Sequence, residues 1–139
     1  MLTVRKTCHF HAAHILDGHA GECCNLHGHT YRVTVEVAQR NDEKGDMVID
    51  FHDLKKLLAE FVEAPFDHAF IYDSTSSSES EIAGFLQQRK MKTASLPYRS
   101  TAENMARYIF QLLRKEINVI AVRVHESDDS SAEYRYQGE

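Results

Sequence analysis

Alternating apolar and polar positions predict two strands in the first third of the chain. The alternation is loose over residues 2–12 and regular over residues 29–38. A period of two residues is typical of a strand that buries one face. Between them, residues 15–26 carry glycine, aspartate and asparagine, which predict a loop. The regular apolar face consists of Tyr31, Val33, Val35 and Val37.

Helical spacing of apolar residues predicts two helices in the remainder of the chain. Residues 52–63 carry leucine and phenylalanine side chains at this spacing, and Pro65 ends the pattern. Residues 100–117 carry a second apolar stripe. Either Ser100 or Thr101 can cap the first turn of this second helix.

Shorter elements complete the predicted order. Residues 47–51 predict a short strand, the serine-rich residues 73–80 a mobile loop, and residues 81–90 a short helix. Residues 118–126 and 132–137 predict two final strands joined as a hairpin. This order favours an α+β fold, in which helices pack on one face of an antiparallel sheet.

Length and composition indicate a globular chain with one domain over residues 1–139. The formal net charge of -5 argues against a nucleic-acid-binding surface. No apolar run is long enough to span a bilayer, and residues 1–6 lack the features of a signal peptide. We therefore expect a cytoplasmic protein without membrane contact. The odd number of cysteines, three, favours free thiols.

A histidine pair at the start of the regular strand suggests a metal site. His27 and His29 are separated by one residue, so their side chains point to the same face of a strand. Gly28 between them leaves room for close approach. If the first two strands pair antiparallel, His14 at the end of the first lies near this pair. Three neutral histidines with an open fourth position are typical of catalytic Zn²⁺ sites.

Two adjacent cysteines precede the histidine pair. Cys23 and Cys24 lie in the predicted loop, where a neighbouring zinc ion would lower the pKa of a thiol. Either residue could supply a reactive thiolate, and either could instead be a small buried hydrophobic side chain. Physical reasoning does not separate the two.

Two acidic positions offer further chemistry, although each also has an ordinary structural explanation. Asp67 can orient His68 for proton transfer, but such pairs are also common in loops. Glu126 can bind the paired N–H donors of a heterocycle, or it can be solvated at a strand end. The histidines without a comparable arrangement, expected on the surface or in loops, are His9, His11, His19 and His125.

Several stretches, in order along the chain, resemble the 6-pyruvoyl-tetrahydropterin synthase family. Its bacterial branch includes 6-carboxy-tetrahydropterin synthase of queuosine precursor synthesis. The most specific element is a thiol four residues before the first histidine of His-Gly-His, combined with an earlier histidine. The similar stretches are residues 10–14, 23–29, 47–55, 66–70, 100–104 and 126–139.

The resemblance implies a role for each candidate residue. With Cys23 as the family's thiol, Cys24 is not the reactive one. Thr101 and Glu103 can also serve as N-terminal residues of their helix. The implied residues are the zinc ligands His14, His27 and His29, the catalytic residues Cys23, Asp67 and His68, and the pterin-binding residues Glu126, Thr101 and Glu103.

The resemblance also implies a fold and an assembly. The family has a tunnelling fold, in which a four-stranded antiparallel sheet carries two helices on one face. Subunits commonly form trimers that stack into a homo-hexamer, with the sites at subunit interfaces. Ser100 stands where the family often has proline, which affects only the entry into the helix.

The implied reaction is that of a lyase acting on 7,8-dihydroneopterin triphosphate. The favoured product is 6-carboxy-5,6,7,8-tetrahydropterin, with release of acetaldehyde and triphosphate. The alternatives are the 6-pyruvoyl product and a non-catalytic pterin-binding member. Cys24 stands where a variant branch with a hydroxymethyl product has glutamate, which argues against that branch. The basic residues that could steer the triphosphate, or form a solvated loop, are Arg89, Lys90, Lys92 and Arg99.

Overall fold

The computed structural model describes residues 1–138 and contains one six-stranded sheet. The strands are β1 (Thr3–His14), β2 (His27–Ala38), β3 (Ala69–Asp73), β4 (Thr93–Leu96), β5 (Val119–Ser127) and β6 (Ser130–Arg135). They lie in the order β4-β3-β1-β2-β5-β6. The pairs β1–β2, β2–β5 and β5–β6 are antiparallel, whereas β3 runs parallel to both β1 and β4.

Three helical segments accompany the sheet. The first, α1 (Phe51–Leu58), continues through a π-helical stretch (Ala59–Glu63) into a last turn (Ala64–Phe66). The others are α2 (Ser77–Gln88) and α3 (Ala102–Arg114). Within residues 1–138, no helix has the length and apolar character needed to cross a bilayer.

The core lies between the helices and one face of the sheet. Tyr31, Val33 and Val35 of β2 are fully buried, as their alternation predicts. Helix α3 contributes Ile109 and Leu113, which are also fully buried, and each such side chain stabilises the fold by roughly 1.5–3 kcal/mol. Beyond Tyr31, towards the start of β2, the positions on this same face are occupied by histidines. A polar site therefore continues the core face of the sheet.

The α+β class is confirmed, but the prediction of four antiparallel strands with two helices is wrong. Strands β3 and β4 were not predicted, and they add a parallel portion to the sheet. They are only five and four residues long. In β3, Ala69, Phe70 and Ile71 are buried in succession, so the strand has no alternation that a sequence pattern could reveal.

The mobile loop predicted for residues 73–80 is also wrong. The Ser76 hydroxyl accepts a hydrogen bond from the Glu79 backbone N–H at 3.2 Å and caps α2, which begins at Ser77. Serine at the cap with glutamate three residues later is a helix-start signal. The helix predicted for residues 81–90 is confirmed and begins earlier than expected.

The strand predicted for residues 47–51 is wrong for a similar reason. Asp50 caps α1 by accepting a hydrogen bond from the His52 N–H at 2.7 Å, so Phe51 is already helical. At the start of α3, the Thr101 hydroxyl accepts from the Asn104 N–H at 3.1 Å and is the cap. The single domain over residues 1–139 stays a prediction.

Candidate active site

The pairing of β1 with β2 brings three histidines together. His14 is the last residue of β1 and lies directly opposite His27, the first residue of β2. His29 lies two residues further along β2, and thus on the same face. Each histidine offers a ring nitrogen within 4.8 Å of the others, and the Nε2 atoms of His14 and His29 are 3.2 Å apart. Two ligands of a tetrahedral zinc ion are separated by about 3.3 Å, given Zn–N bonds of about 2.0–2.1 Å.

Backbone carbonyl groups orient two of the three rings. The Nδ1–H of His14 donates to the Ser100 carbonyl oxygen at 2.8 Å, and that of His27 donates to the Asn25 carbonyl oxygen at 2.7 Å. A carbonyl oxygen only accepts, so the proton of each neutral ring is on Nδ1. The Nε2 lone pairs of both rings are then free for a metal, and such outer hydrogen bonds are typical of metal-ligating histidines.

The surroundings favour the neutral form of the His14 and His29 imidazoles. Burial lowers the pKa of His14 to about 4, although the bond to the Ser100 carbonyl opposes this shift. Burial also lowers the pKa of His29, with the Glu126 carboxylate acting in the opposite direction. Neutral histidine is the form that binds metal. The donor set therefore fits a divalent metal such as Zn²⁺, with room for a non-protein ligand.

Gly28 allows the two strands to approach closely at this point. A Cβ atom at residue 28 would lie 3.1 Å from the Ala12 carbonyl oxygen, which is tighter than ordinary van der Waals contact. The backbone oxygen of a sheet strand cannot move away as a flexible side chain would. Glycine between the two histidines thus avoids a tight contact where β1 and β2 pair.

The candidate thiol lies in an exposed loop that precedes His27 in the chain. Cys23 and Cys24 belong to a single 3₁₀ turn, Glu22–Cys24, and both are exposed, whereas Cys8 is buried in the core. The Cys23 carbonyl oxygen accepts a hydrogen bond from the Leu16 N–H at 2.9 Å. All three cysteines are free thiols, as their odd number predicts.

The Asp67–His68 pair lies beside the edge of β1, and the His68 ring lies against the His11 ring, with the ring centroids 5.8 Å apart. Asp67 accepts a hydrogen bond from the His11 N–H at 3.0 Å, and the His68 N–H donates to the His11 carbonyl oxygen at 2.6 Å. The side chains meet at 3.0 Å between Asp67 Oδ2 and His68 Nδ1. Because His11 and His14 are three residues apart in one strand, their side chains point to opposite faces. Within residues 1–138, no hydrogen bond joins this pair to Cys23.

The environment of this pair favours an ionised aspartate and a constrained histidine. The hydrogen bond from the His11 backbone lowers the pKa of Asp67 most, and the hydrogen bond from the His68 side chain lowers it further. His68 adopts a φ of 60°, a left-handed conformation that is unfavourable for a non-glycine residue. The Lys92 ammonium contacts the carbonyl oxygens of Ala64 and Asp67, each at 2.6 Å, and thereby holds the turn. No local sequence pattern predicts this contact, because Lys92 lies 25 residues after Asp67.

The pterin-binding candidates lie near the histidine cluster. Glu126 in β5 places Oε2 3.8 Å from His29 Nε2. Thr101 follows Ser100, whose carbonyl binds His14, and caps α3; Glu103 is in the first turn of that helix. Ser100 is fully buried, and its role as a partner of His14 was not predicted. No local signal reveals it, because the two residues are 86 positions apart.

Comparisons with known proteins give this chain a family and a set of similar folds. The model of the 6-pyruvoyl tetrahydropterin synthase family matches residues 3–137. A Haemophilus influenzae relative named 6-carboxy-5,6,7,8-tetrahydropterin synthase is 44% identical, over 97% of this chain and 99% of its own. A solved structure of an uncharacterized Wolinella succinogenes protein superposes with a TM-score of 0.82 at 19% identity, covering 98% of both chains. The Caenorhabditis elegans 6-pyruvoyl tetrahydropterin synthase superposes with a TM-score of 0.68 at 24% identity, covering 98% of this chain and 96% of that one.

Proposed function

The chain belongs to the 6-pyruvoyl tetrahydropterin synthase family, and we propose that it converts 7,8-dihydroneopterin triphosphate to 6-carboxy-5,6,7,8-tetrahydropterin. Acetaldehyde and triphosphate are the other products, and the pterin serves queuosine precursor synthesis. The choice of product rests on the 44% identity, over nearly the whole of both chains, to a relative named for the carboxy product. The family itself supports the broader role of a lyase-type tetrahydropterin synthase.

The proposed metal is Zn²⁺, with His14, His27 and His29 as its ligands. The convergence of their ring nitrogens and the carbonyl bonds to two of the rings support this assignment. Zn²⁺ bound there supplies Lewis acidity, which makes protons on neighbouring substrate atoms easier to remove.

Other side chains bind the pterin ring and transfer protons. Glu126 accepts hydrogen bonds from the pterin ring, with Thr101 and Glu103 beside it, and holds the ring next to His29. The Cys23 sulfur, as thiolate, takes a proton from the substrate side chain. His68 carries out the complementary transfer through Nε2, because its Nδ1 is directed to Asp67.

A second subunit would serve these roles, because the His68 ring lies against His11, on the face of the sheet opposite His14. We propose a homo-hexamer, a dimer of trimers, in which the pair of one subunit completes the site of another. Two sheet edges support this assembly. Within the described residues, β1 from Thr3 to Phe10 is paired only with β2, and β6 only with β5. Unpaired edges of this kind accept strands from another chain.

The product is the direct test of the proposed function. Zinc-loaded protein is incubated with 7,8-dihydroneopterin triphosphate, and pterin products and acetaldehyde are followed together. We expect 6-carboxy-tetrahydropterin and acetaldehyde in equal amounts. A 6-pyruvoyl product without acetaldehyde would contradict the carboxy assignment while leaving the family and its site intact.

The contact of Lys92 with the Asp67–His68 turn gives a second prediction. Lys92→Met removes the ammonium partner of the Asp67 carbonyl, so His68 is held less firmly in its left-handed conformation. We expect kcat to fall about tenfold with KM changed less than about twofold, since small misplacements of a catalytic group are costly. Lys90→Met, which removes a neighbouring charge and leaves these bonds intact, is the matched control. A rise in KM that depends on salt, with kcat unchanged, would instead favour the steering role.

A further inference from the structure

The loop that carries Cys23 is tied to helix α2 through Asp17. The Asp17 Oδ2 atom accepts hydrogen bonds from the hydroxyl groups of Ser76 at 2.6 Å and Ser78 at 3.0 Å. The bond from Ser76 lowers the pKa of Asp17 most, and the bond from Ser78 lowers it further. The carboxylate is therefore ionised near neutral pH, and hydrogen bonds to a charged acceptor are stronger than neutral ones.

The α2 side of this contact is rigid. Ser76 is the cap of α2, and its hydroxyl also accepts a bond from the Glu79 N–H. Glu79 is 1% exposed, although it is a carboxylic acid in a helix at the surface. Its carboxyl group accepts a bond from the Asp73 N–H at 3.2 Å. The side chain of Asp17 is thus held by the first turn of α2.

A short path of backbone bonds leads from Asp17 to the thiol. Leu16, the residue before Asp17, donates its N–H to the carbonyl oxygen of Cys23. The turn around Cys23 is closed by a second bond, from the Asn25 N–H to the Glu22 carbonyl oxygen at 2.9 Å. The carbonyl of Asn25 in turn holds the ring of His27.

Little else fixes this part of the loop. Every residue from Asp17 to Leu26 is exposed, so the segment contributes no side chain to the core. Segments with few buried contacts open locally at low free-energy cost. A charge-assisted contact at one end of such a segment therefore contributes strongly to the position of the segment. The same contact can contribute little to the free energy of unfolding of the whole protein.

We propose that Asp17 is a positioning residue, which fixes the thiol loop through the first turn of α2. The loop is thereby held with Cys23 in one place relative to the histidine cluster. This inference rests on the proposed function insofar as Cys23 is the thiol of the reaction. The hydrogen bonds themselves do not depend on it.

The test compares Asp17→Ala with Asp17→Asn, because the asparagine amide oxygen can still accept from both serine hydroxyls. Asp42→Ala, an exposed aspartate outside the loop, is the control. Amide hydrogen exchange is measured for peptides covering residues 15–26, together with kcat and KM. We expect Asp17→Ala to exchange at least about tenfold faster in this segment only. We also expect its kcat to fall about tenfold with little change in KM, and Asp17→Asn to recover most of both properties.

Two outcomes overturn the inference. Exchange in residues 15–26 that is the same in Asp17→Ala as in the wild type means that the contact does not hold the loop. Faster exchange with unchanged kcat, in a protein that Cys23→Ala inactivates, means that the loop position does not matter to the thiol. If the wild type does not turn over the pterin substrate at all, the proposed function fails, and the exchange measurement still decides whether Asp17 fixes the loop.

Discussion

Replacing His29 with alanine is expected to lower the affinity for zinc by more than about 100-fold. Loss of an outer hydrogen-bonding partner alone costs about 10–100-fold, and His29 is proposed as a direct ligand. With free zinc at about 100 times the wild-type Kd, the ion should stabilise the wild type by about 2.7 kcal/mol. A variant with a 100-fold weaker site would gain only about 0.4 kcal/mol at that concentration. Zinc titration against a competing chelator, with thermal unfolding with and without zinc, measures both quantities.

His9→Ala is the matched control for His29→Ala. His9 also lies in the β1–β2 pair, but it is exposed and outside the three-histidine cluster. The metal-free forms of both variants should unfold close to the wild type, because His29 is not part of the buried core. Full zinc content in purified His29→Ala, with wild-type stabilisation, would contradict the proposed ligand set.

Replacing Cys23 with alanine is expected to lower kcat by about 10²–10⁴-fold. This is the range that a positioned proton-transfer group contributes. Cys24→Ala is a close control, because Cys24 lies in the same turn and is also exposed. Its kcat should change less than about threefold. Loss of activity in Cys24→Ala with retention in Cys23→Ala would reverse the assignment, which physical reasoning from the sequence left open.

A mixing experiment extends the Cys23 prediction to the assembly. Cys23→Ala and His68→Ala should each be inactive alone. If each site takes the two residues from different subunits, random assortment of equal amounts leaves about a quarter of the sites with both residues intact. The co-expressed variants should then regain about a quarter of the wild-type activity. No recovery in mixed oligomers of confirmed composition would place both residues in one subunit, against the separation across the sheet.

The strands around the site were predictable because their pattern is local. The alternation of Tyr31, Val33 and Val35 predicts β2, and His29 continues the same face by the same period. Helix α3 was equally accessible, since its stripe and the cap at Thr101 lie within one segment. In each case, neighbouring residues carry the whole signal.

The elements that were missed depend on burial by distant parts of the chain. Strand β3 is short and buried in succession, so its residues show no period. The serine-rich start of α2 has the composition of a loop, and the loop prediction rests on that composition alone, without the capping signal of Ser76 and Glu79. This missed helix start matters for the site, because the first turn of α2 binds Asp17 in the loop that carries Cys23.

The sequence alone determined which side chains could meet on one face: His27 and His29 by the period of a strand, and His14 by its position at the end of the preceding one. Only the tertiary structure decided how the rings are oriented, because the Ser100 carbonyl that holds His14 comes from a segment 86 residues away. It also decided that the His68 ring lies against His11, on the face of the sheet opposite His14. Contacts between distant segments follow from packing of the whole chain, and no local pattern of residues records them.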